Sequence, residues 1–252
     1  MCRHLAYLGP VVTLGEVLSE PEHSLVRQSW EPLRQRSGTV NADGFGIGWY
    51  AEGDPVPARY RRSGPIWGDL TFTDLARVVR SGAALAAVRD ATDPGADGEA
   101  AAAPFADGPW LFSHNGALRG WPESAAPLAA GLPPAALLRL AARTDSALVW
   151  ALVLHRLRAG DDLGTALAEP VRELASAAPG SRLNLLLTDG VTIAATAWGD
   201  SLWYLADVQR RRTVVASEPY DDDTRWREVP DRTLLTATRT RVELTPLKEN
   251  SP

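Results

Sequence analysis

The sequence contains a single cysteine, Cys2, in 252 residues. That excludes an intrachain disulfide and any zinc site built on cysteine. Its 4 histidines, His4, His23, His114 and His155, follow no ligand spacing, so no metal centre is expected. Basic charge is not in excess. The 26 Lys and Arg against 31 Asp and Glu leave a net charge of -5, which takes nucleic acid and an anionic membrane surface off the list of expected partners. No apolar run approaches the roughly 20 residues of a membrane span. Gly9-Pro10 and Gly15-Glu16 interrupt the apolar start before a signal-peptide core could form. With 45% hydrophobic and 23% charged residues, the chain is expected to be a globular enzyme or binding domain in the cytoplasm.

What is present begins at the first residues, Met1-Cys2-Arg3-His4-Leu5-Ala6-Tyr7. Removal of Met1 is expected, because the second side chain is small. Cys2 would then carry a thiol and a free α-amine on one residue. These groups titrate near ~8.5 and ~7.7–8.0 when unperturbed. The amine can take the thiol's proton, which makes the sulfur a nucleophile. A lone cysteine is more often an inert packing residue, so the rest of the chain must decide.

His4 to Leu8 reads as a buried strand carrying Cys2 at its outer end. Thr13 and Glu16 form a capping box that should open a helix. Residues 21–43 read as loop with one turn of helix. Gly44, Gly46 and Gly48 alternate with Phe45, Ile47 and Trp49, which predicts a strand with one bare face, open to a ligand or to another sheet. Ala58 to Arg61 reads as the hairpin return. Thr71 to Asp74 looks like a second capping box, for a helix to Val79. Ala83 to Val88 is an apolar strand ending at Arg89. Residues 93–109 read as a surface loop. Trp110 to Ser113 is a strand, with His114-Asn115-Gly116 as the turn at its end. Pro133 to Ala178 is helical in period, one helix starting at Thr144 or Asp145. The last third is β: Leu183–Thr188 and Val191–Trp198 joined by Asp189-Gly190 as a type I′ hairpin, then Leu202–Leu205, Thr213–Ala216 and strands within Leu234–Leu244. No βαβ repeat and no linker is evident, so a single α+β domain over 1–252 with mainly antiparallel pairing is expected.

A cysteine attacking an amide needs donors for the oxyanion of the tetrahedral intermediate. The Asn115 amide and the Gly116 backbone N–H can serve. A glutamyl substrate also presents an α-carboxylate, which Arg89 can hold bidentately, and an α-ammonium, which Asp145 can accept from.

With these pieces in place the sequence resembles the class-II glutamine amidotransferases of the N-terminal-nucleophile hydrolase superfamily. The resemblance implies Cys2 as nucleophile and Asn115 and Gly116 as oxyanion hole. It implies substrate binding by Arg89 and Thr92 of Arg89-Asp90-Ala91-Thr92, and by Asp145. The family often has His after that Thr, where this chain has Asp93. His114 is grouped with the substrate-binding residues, although on its own it reads as a packed histidine supporting the turn more readily than as a proton shuttle. Residues 1–9, 41–46, 182–190 and 216–223 are similar to a narrower family, the actinobacterial γ-glutamyl hydrolases of ergothioneine biosynthesis. That resemblance implies a four-layer αββα sandwich, hydrolysis of γ-glutamyl-hercynylcysteine S-oxide, and no metal or organic cofactor. Two alternatives stand beside it. One is a glutaminase subunit delivering ammonia to a partner synthetase, against which the use of the whole chain by one domain argues. The other is a non-catalytic binding domain of the same fold. Tryptophans such as Trp30, Trp49, Trp67 and Trp121 could meet a quaternary ammonium through their ring faces. Asp221-Asp222-Asp223 reads as a solvated turn.

Overall fold

The computed structural model describes residues 2–35, 38, 40–91 and 98–248. Its centre is β1 (Arg3–Thr13). Leu5 and Tyr7 point into one buried apolar cluster, Ala6 and Leu8 into another. A strand that is apolar on both faces must be covered on both, and that requirement sets the layers.

The first sheet has seven strands in the order β11 (Arg227–Glu228), β9 (Trp203–Asp207), β10 (Arg212–Ala216), β1, β4 (Arg80–Val88), β2 (Phe45–Trp49), β3 (Ala58–Arg62). The second has six, β13 (Val242–Pro246), β12 (Thr233–Ala237), β8 (Ile193–Ala197), β7 (Arg182–Thr188), β6 (Trp110–Ala117), β5 (Phe105–Asp107). Their pairings are antiparallel. Outside the first sheet, α1 (Leu14–Leu18), α2 (Leu25–Gln28) and α3 (Leu70–Val78) bury Val17, Leu18, Leu25 and Phe72 against Leu5, Phe45 and Ile47. Outside the second, α4 (Ala126–Ala130), α5 (Pro134–Leu138), α6 (Asp145–Ala159) and α7 (Leu163–Ala177) pack on Phe112, Leu183, Leu185 and Leu187. Leu8, Leu85, Leu111, Leu186, Val215 and Leu235 fill the space between the sheets. Each such buried leucine contributes about 1.5–3 kcal/mol. The architecture is therefore the α+β, four-layer αββα sandwich that the resemblance implied.

Local chemistry explains most boundaries. The Thr13/Glu16 capping box is formed and opens α1. The second expected box is not. Asp69, whose carboxylate accepts from Phe72 N at 2.7 Å, caps α3, so the helix starts at Leu70 rather than beyond Thr71. A charged acceptor two residues earlier outcompetes the Thr71 hydroxyl. The β7–β8 connection is four residues, 189–192, with Gly190 alone among them at positive φ, so it is not the two-residue type I′ turn. Asp189 accepts instead from the N–H groups of Val191 and Thr192. Within the expected loop 93–109, the described part forms a 3-10 turn at Gly98–Ala101 and then β5. Residues 92–97 lie outside the described residues. Among the described residues no helix is long and apolar enough to cross a membrane.

The bare face of β2 is a packing face. A Cβ on Gly48 would fall 2.6 Å from Leu111 Cδ1, and one on Gly46 only 2.3 Å from the Ala103 carbonyl oxygen. The second neighbour is backbone and cannot rotate away. Gly46→Ala should therefore cost about 1–3 kcal/mol through overpacking, read as a drop in urea midpoint at constant m-value. An unchanged midpoint would show that the layers can separate there freely.

Candidate active site

In the β1–β4 register Arg3 lies opposite Val88, so Cys2 comes opposite Arg89. Cys2, His4, Ala6 and Leu8 share the inner face of β1 by strand alternation. Across the gap, Leu111, Ser113 and Asn115 share the inner face of β6, while Phe112 and His114 turn toward α6. Hydrogen bonds cross between the sheets here. Cys2 N donates to Asn115 Oδ1 at 3.1 Å, and His4 Nδ1 is bonded to Ser113 Oγ at 3.2 Å.

The expectation of a turn at His114-Asn115-Gly116 is corrected. β6 runs on to Ala117, with Asn115 opposite Asn184 and Gly116 opposite Leu183. Asn-Gly is a local turn preference, and pairing along the whole of β7 overrides it. Gly116 is required by close approach, since a Cβ there would lie 1.9 Å from the Arg182 carbonyl oxygen.

Ser217, just after β10, carries no sequence signal for a role yet joins these parts. It is fully buried. Its Oγ accepts from His4 N at 3.0 Å and from Asn115 Nδ2 at 3.3 Å. Both hydroxyl lone pairs are thereby used. Its own N–H donates to His4 O at 2.9 Å, and its carbonyl accepts from Ser201 Oγ at 2.9 Å. The orientation of Asn115 thus depends on Ser217, and one N–H of the Asn115 amide has no partner among the described residues.

A cleft of about 270 Å³ opens beside Cys2, lined among others by Arg89, Gly116, Trp121, Arg143 and Asp145. Arg89 is half-buried and held by one bond, Nη1 to Asp43 O at 3.2 Å. It has no ion-pair partner among the described residues. Asp145 is the first residue of α6, behind the Thr144 N-cap. Its Oδ2 accepts from Leu118 N at 2.9 Å, and its Oδ1 from Ser146 N at 2.7 Å and Ser146 Oγ at 3.2 Å. A carboxylate has about four acceptor positions, so one remains for a ligand. His114 stands apart from this cleft wall. Its Nε2 donates to Arg182 O at 3.0 Å and its Nδ1 is bonded to Ser146 Oγ at 3.0 Å, so it buttresses the start of α6. Thr92 and Met1 lie outside the described residues. Of the tryptophans singled out, Trp121 lines the cleft, whereas Trp30 and Trp67 pair edge-to-face elsewhere at 5.7 Å. In the Asp221–Asp223 turn, Asp221 accepts from Trp226 Nε1 and Asp223 from Arg225, whereas Asp222 is exposed, 3.6 Å from His23 Nε2. Glu22, His23 and Asp222 bring ligand-type atoms within 4.8 Å of one another on the surface, away from the cleft.

Burial pushes the Cys2 thiol above its ordinary value, while Arg89 and the Asp90 backbone act the other way. To act as a nucleophile, such a thiol would need a base close by. His4 cannot be that base: burial, reinforced by Arg3, lowers its pKa to about 3.

Comparison with known proteins follows this geometry. Residues 18–207 match the family described as glutamine amidotransferases class-II. The chain is 40% identical over 247 residues to the gamma-glutamyl-hercynylcysteine sulfoxide hydrolase of Mycolicibacterium smegmatis, covering 98% of this chain and 100% of that protein. It is 40% identical over 248 residues to the Mycobacterium tuberculosis protein of the same name, covering 98% and 97%. A glutamine aminotransferase class-II domain protein from Silicibacter pomeroyi superposes with TM-score 0.70 at 25% identity over 98% of this chain and 100% of that one. The Bacillus subtilis glutamine phosphoribosylpyrophosphate amidotransferase shares the fold, with TM-score 0.63 and 16% identity over 99% of this chain and 50% of that one.

Ser217→Ala should leave Cys2, Arg89 and Asp145 in place but release Asn115. The expected result is a fall in kcat of about tenfold or more with KM nearly unchanged, as for the loss of one or two buried hydrogen bonds. Steady-state kinetics decide it, and a change confined to KM would contradict the assigned position. His4 gives a second expectation. Its pKa is about 3 when folded, against about 6.5 unfolded. Between these values the unfolded chain binds a proton that the native state refuses, so stability should rise with pH through that window. Urea unfolding at a series of pH values should show this slope in the native sequence and a flatter one in His4→Gln.

Proposed function

Because the chain belongs to the class-II glutamine amidotransferases, we propose that it hydrolyses the γ-glutamyl amide of γ-glutamyl-hercynylcysteine sulfoxide, releasing glutamate and hercynylcysteine sulfoxide. The observation that carries this reading is the convergence of Cys2, Arg89 and Asp145 on one cleft, together with 40% identity over essentially the full length of hydrolases bearing that substrate's name.

The residues divide the work as follows. Loss of Met1 turns Cys2 N into a free amine, still able to donate to Asn115 Oδ1. With its lone pair that amine takes the thiol proton, which burial otherwise holds in place. Arg89 grips the glutamyl α-carboxylate, and Asp145 uses its remaining acceptor position for the α-ammonium. Thr92 is assigned to the same subsite. The Cys2 sulfur then attacks the γ-carbonyl carbon, and the C=O electron pair moves onto oxygen. The unused N–H of Asn115 and the backbone of Gly116 stabilise that oxyanion. Collapse breaks the C–N bond, the leaving amine takes the proton from the Cys2 amine, and a thioester remains. Water activated by the same amine releases glutamate. No step calls for a cofactor. Trp121 offers a ring face to the quaternary ammonium of the leaving group. A catalytic thiol persists in a reducing compartment, which supports a cytoplasmic setting. The chain acts in this reading as one domain, with water rather than a partner synthetase as acceptor.

The test is glutamate release from γ-glutamyl-hercynylcysteine sulfoxide and from free glutamine, with intact mass measured on the same protein. The sulfoxide should be the better substrate by kcat/KM, and the active form should lack Met1. Preference for glutamine would favour an ammonia-delivering subunit, and full activity with Met1 intact would remove the terminal-amine mechanism. Asn115→Ala should lower kcat by about 10²–10³. Asn115 is fully buried in β6, so this variant should also lose about 1–3 kcal/mol of stability. Arg89→Lys, which keeps the charge and loses the fork, should act chiefly on KM.

A further inference from the structure

A second cavity, about 350 Å³, is larger than the cleft at Cys2 and shares no lining residue with it. It lies where the edge strands of the two sheets, β3 and β5, meet the helical layer. Guanidinium groups converge on it from separate elements. Arg59 and Arg61 come from β3, Arg139 from the end of α5, and Arg158 from the last turn of α6. Trp150 and Phe105 supply apolar floor, with Trp150 stacked on Phe112 at 5.2 Å.

Charge here is only partly balanced by the protein: Glu99, 3.5 Å from Arg62, also acts on Arg61 from outside the lining. Asp107 is the acidic residue in the lining, and Arg158 takes it at 2.9 Å. Arg59 and Arg61 are separated by one residue on the same face of a strand, an unfavourable placement for like charges. Their Nη1 atoms reach only backbone carbonyls, Pro104 O for Arg59 and Ala100 O and Ala102 O for Arg61. Burial lowers the pKa of both. The exposed side chain of Arg139 has no hydrogen-bond or ion-pair partner among the described residues. Basic residues along an edge strand alone would be a guard against aggregation. Here the helical layer adds cations from the opposite side, over an aromatic floor, in a volume suited to a small ligand.

We propose that this cavity is a binding site for a small organic anion with a planar apolar body, distinct from the site that reacts at Cys2. The anionic group, a carboxylate or a phosphate, sits among Arg59, Arg61 and Arg139, and the planar body lies toward Phe105 and Trp150. The proposal does not depend on which γ-glutamyl amide the enzyme hydrolyses.

Isothermal titration of the full chain at low salt tests it, with adenosine monophosphate and indole-3-acetate as probes and adenosine and indole as their neutral counterparts. At least one anionic probe should bind in the millimolar range or tighter, with its neutral counterpart about tenfold weaker or more. Which one binds separates a phosphate from a carboxylate preference. Arg139→Ala or Arg59→Ala should weaken binding by about tenfold and leave glutamate release unchanged. Protein alkylated at Cys2 should bind the probe as the native protein does. The proposal is overturned if neither anion binds at about 10 mM, if both arginine variants bind as the native chain does, or if alkylation of Cys2 abolishes binding.

Discussion

The hydrogen bond from Cys2 N to Asn115 Oδ1 at 3.1 Å is the contact on which the arrangement depends. It joins two sheets whose shared interior is mostly leucine, alanine, valine and isoleucine. Apolar packing is tolerant of sliding, because many registers bury similar area. Buried polar groups are not, since each one left unpaired costs about 1–3 kcal/mol. Asn115, Ser113, His4 and Ser217 are buried together at one end of the interior. Their bonds permit one relative placement of β1 and β6. A slip by a single residue would turn Cys2 or Asn115 to the opposite face.

The outer face of β1 carries a second constraint. Arg3 and Glu218 are buried, 3.8 Å apart. Glu218 also accepts from Leu33 N at 3.0 Å and Arg34 N at 2.7 Å, and the Arg34 guanidinium lies 4.5 Å over the Trp203 ring. A buried pair of this kind adds little by its presence and costs several kcal/mol when halved. Its effect is positional. It fixes the segment at Leu33 and Arg34 to the strand that directly follows Cys2. The polar groups on both faces of β1 therefore act on the same few residues next to Cys2.

Much of this was legible in the sequence, and the failures share a cause. Glycines 44, 46 and 48 announced a bare strand face. The Thr13 box and the Thr144 cap were local signals with local outcomes. Arg89 and Asp145 were placed correctly at element ends because ends are marked by changes in periodicity. The continuation of β6 through Asn115 was hidden. Its reason is a partner strand some 70 residues on, and turn propensity within His114-Asn115-Gly116 pointed elsewhere. The same non-locality hid Ser217, whose partners His4 and Asn115 are 213 and 102 residues away. Asp69 was missed differently. Two acceptor-bearing candidates stood within one turn, and the choice rested on which backbone N–H each could reach. The order of strands in the sheets, and hence the meeting of β3 with β5, follows from packing and not from any stretch of chain.

The cleft has two unlike walls. Cys2, Arg89, Gly116 and Ala117 sit on or at the ends of paired strands and are tied to the register of both sheets. Gly120, Trp121 and Arg143 come from connections between elements and take no part in any ladder. Drift therefore meets unequal resistance on the two sides. A change in the first wall disturbs the sandwich itself, whereas a change in the second disturbs only a loop. Under the proposed assignment, descendants of such a chain can exchange the group they cast off far more readily than the group they hold, and the acyl half of the substrate becomes an inherited trait while the leaving half stays open to selection.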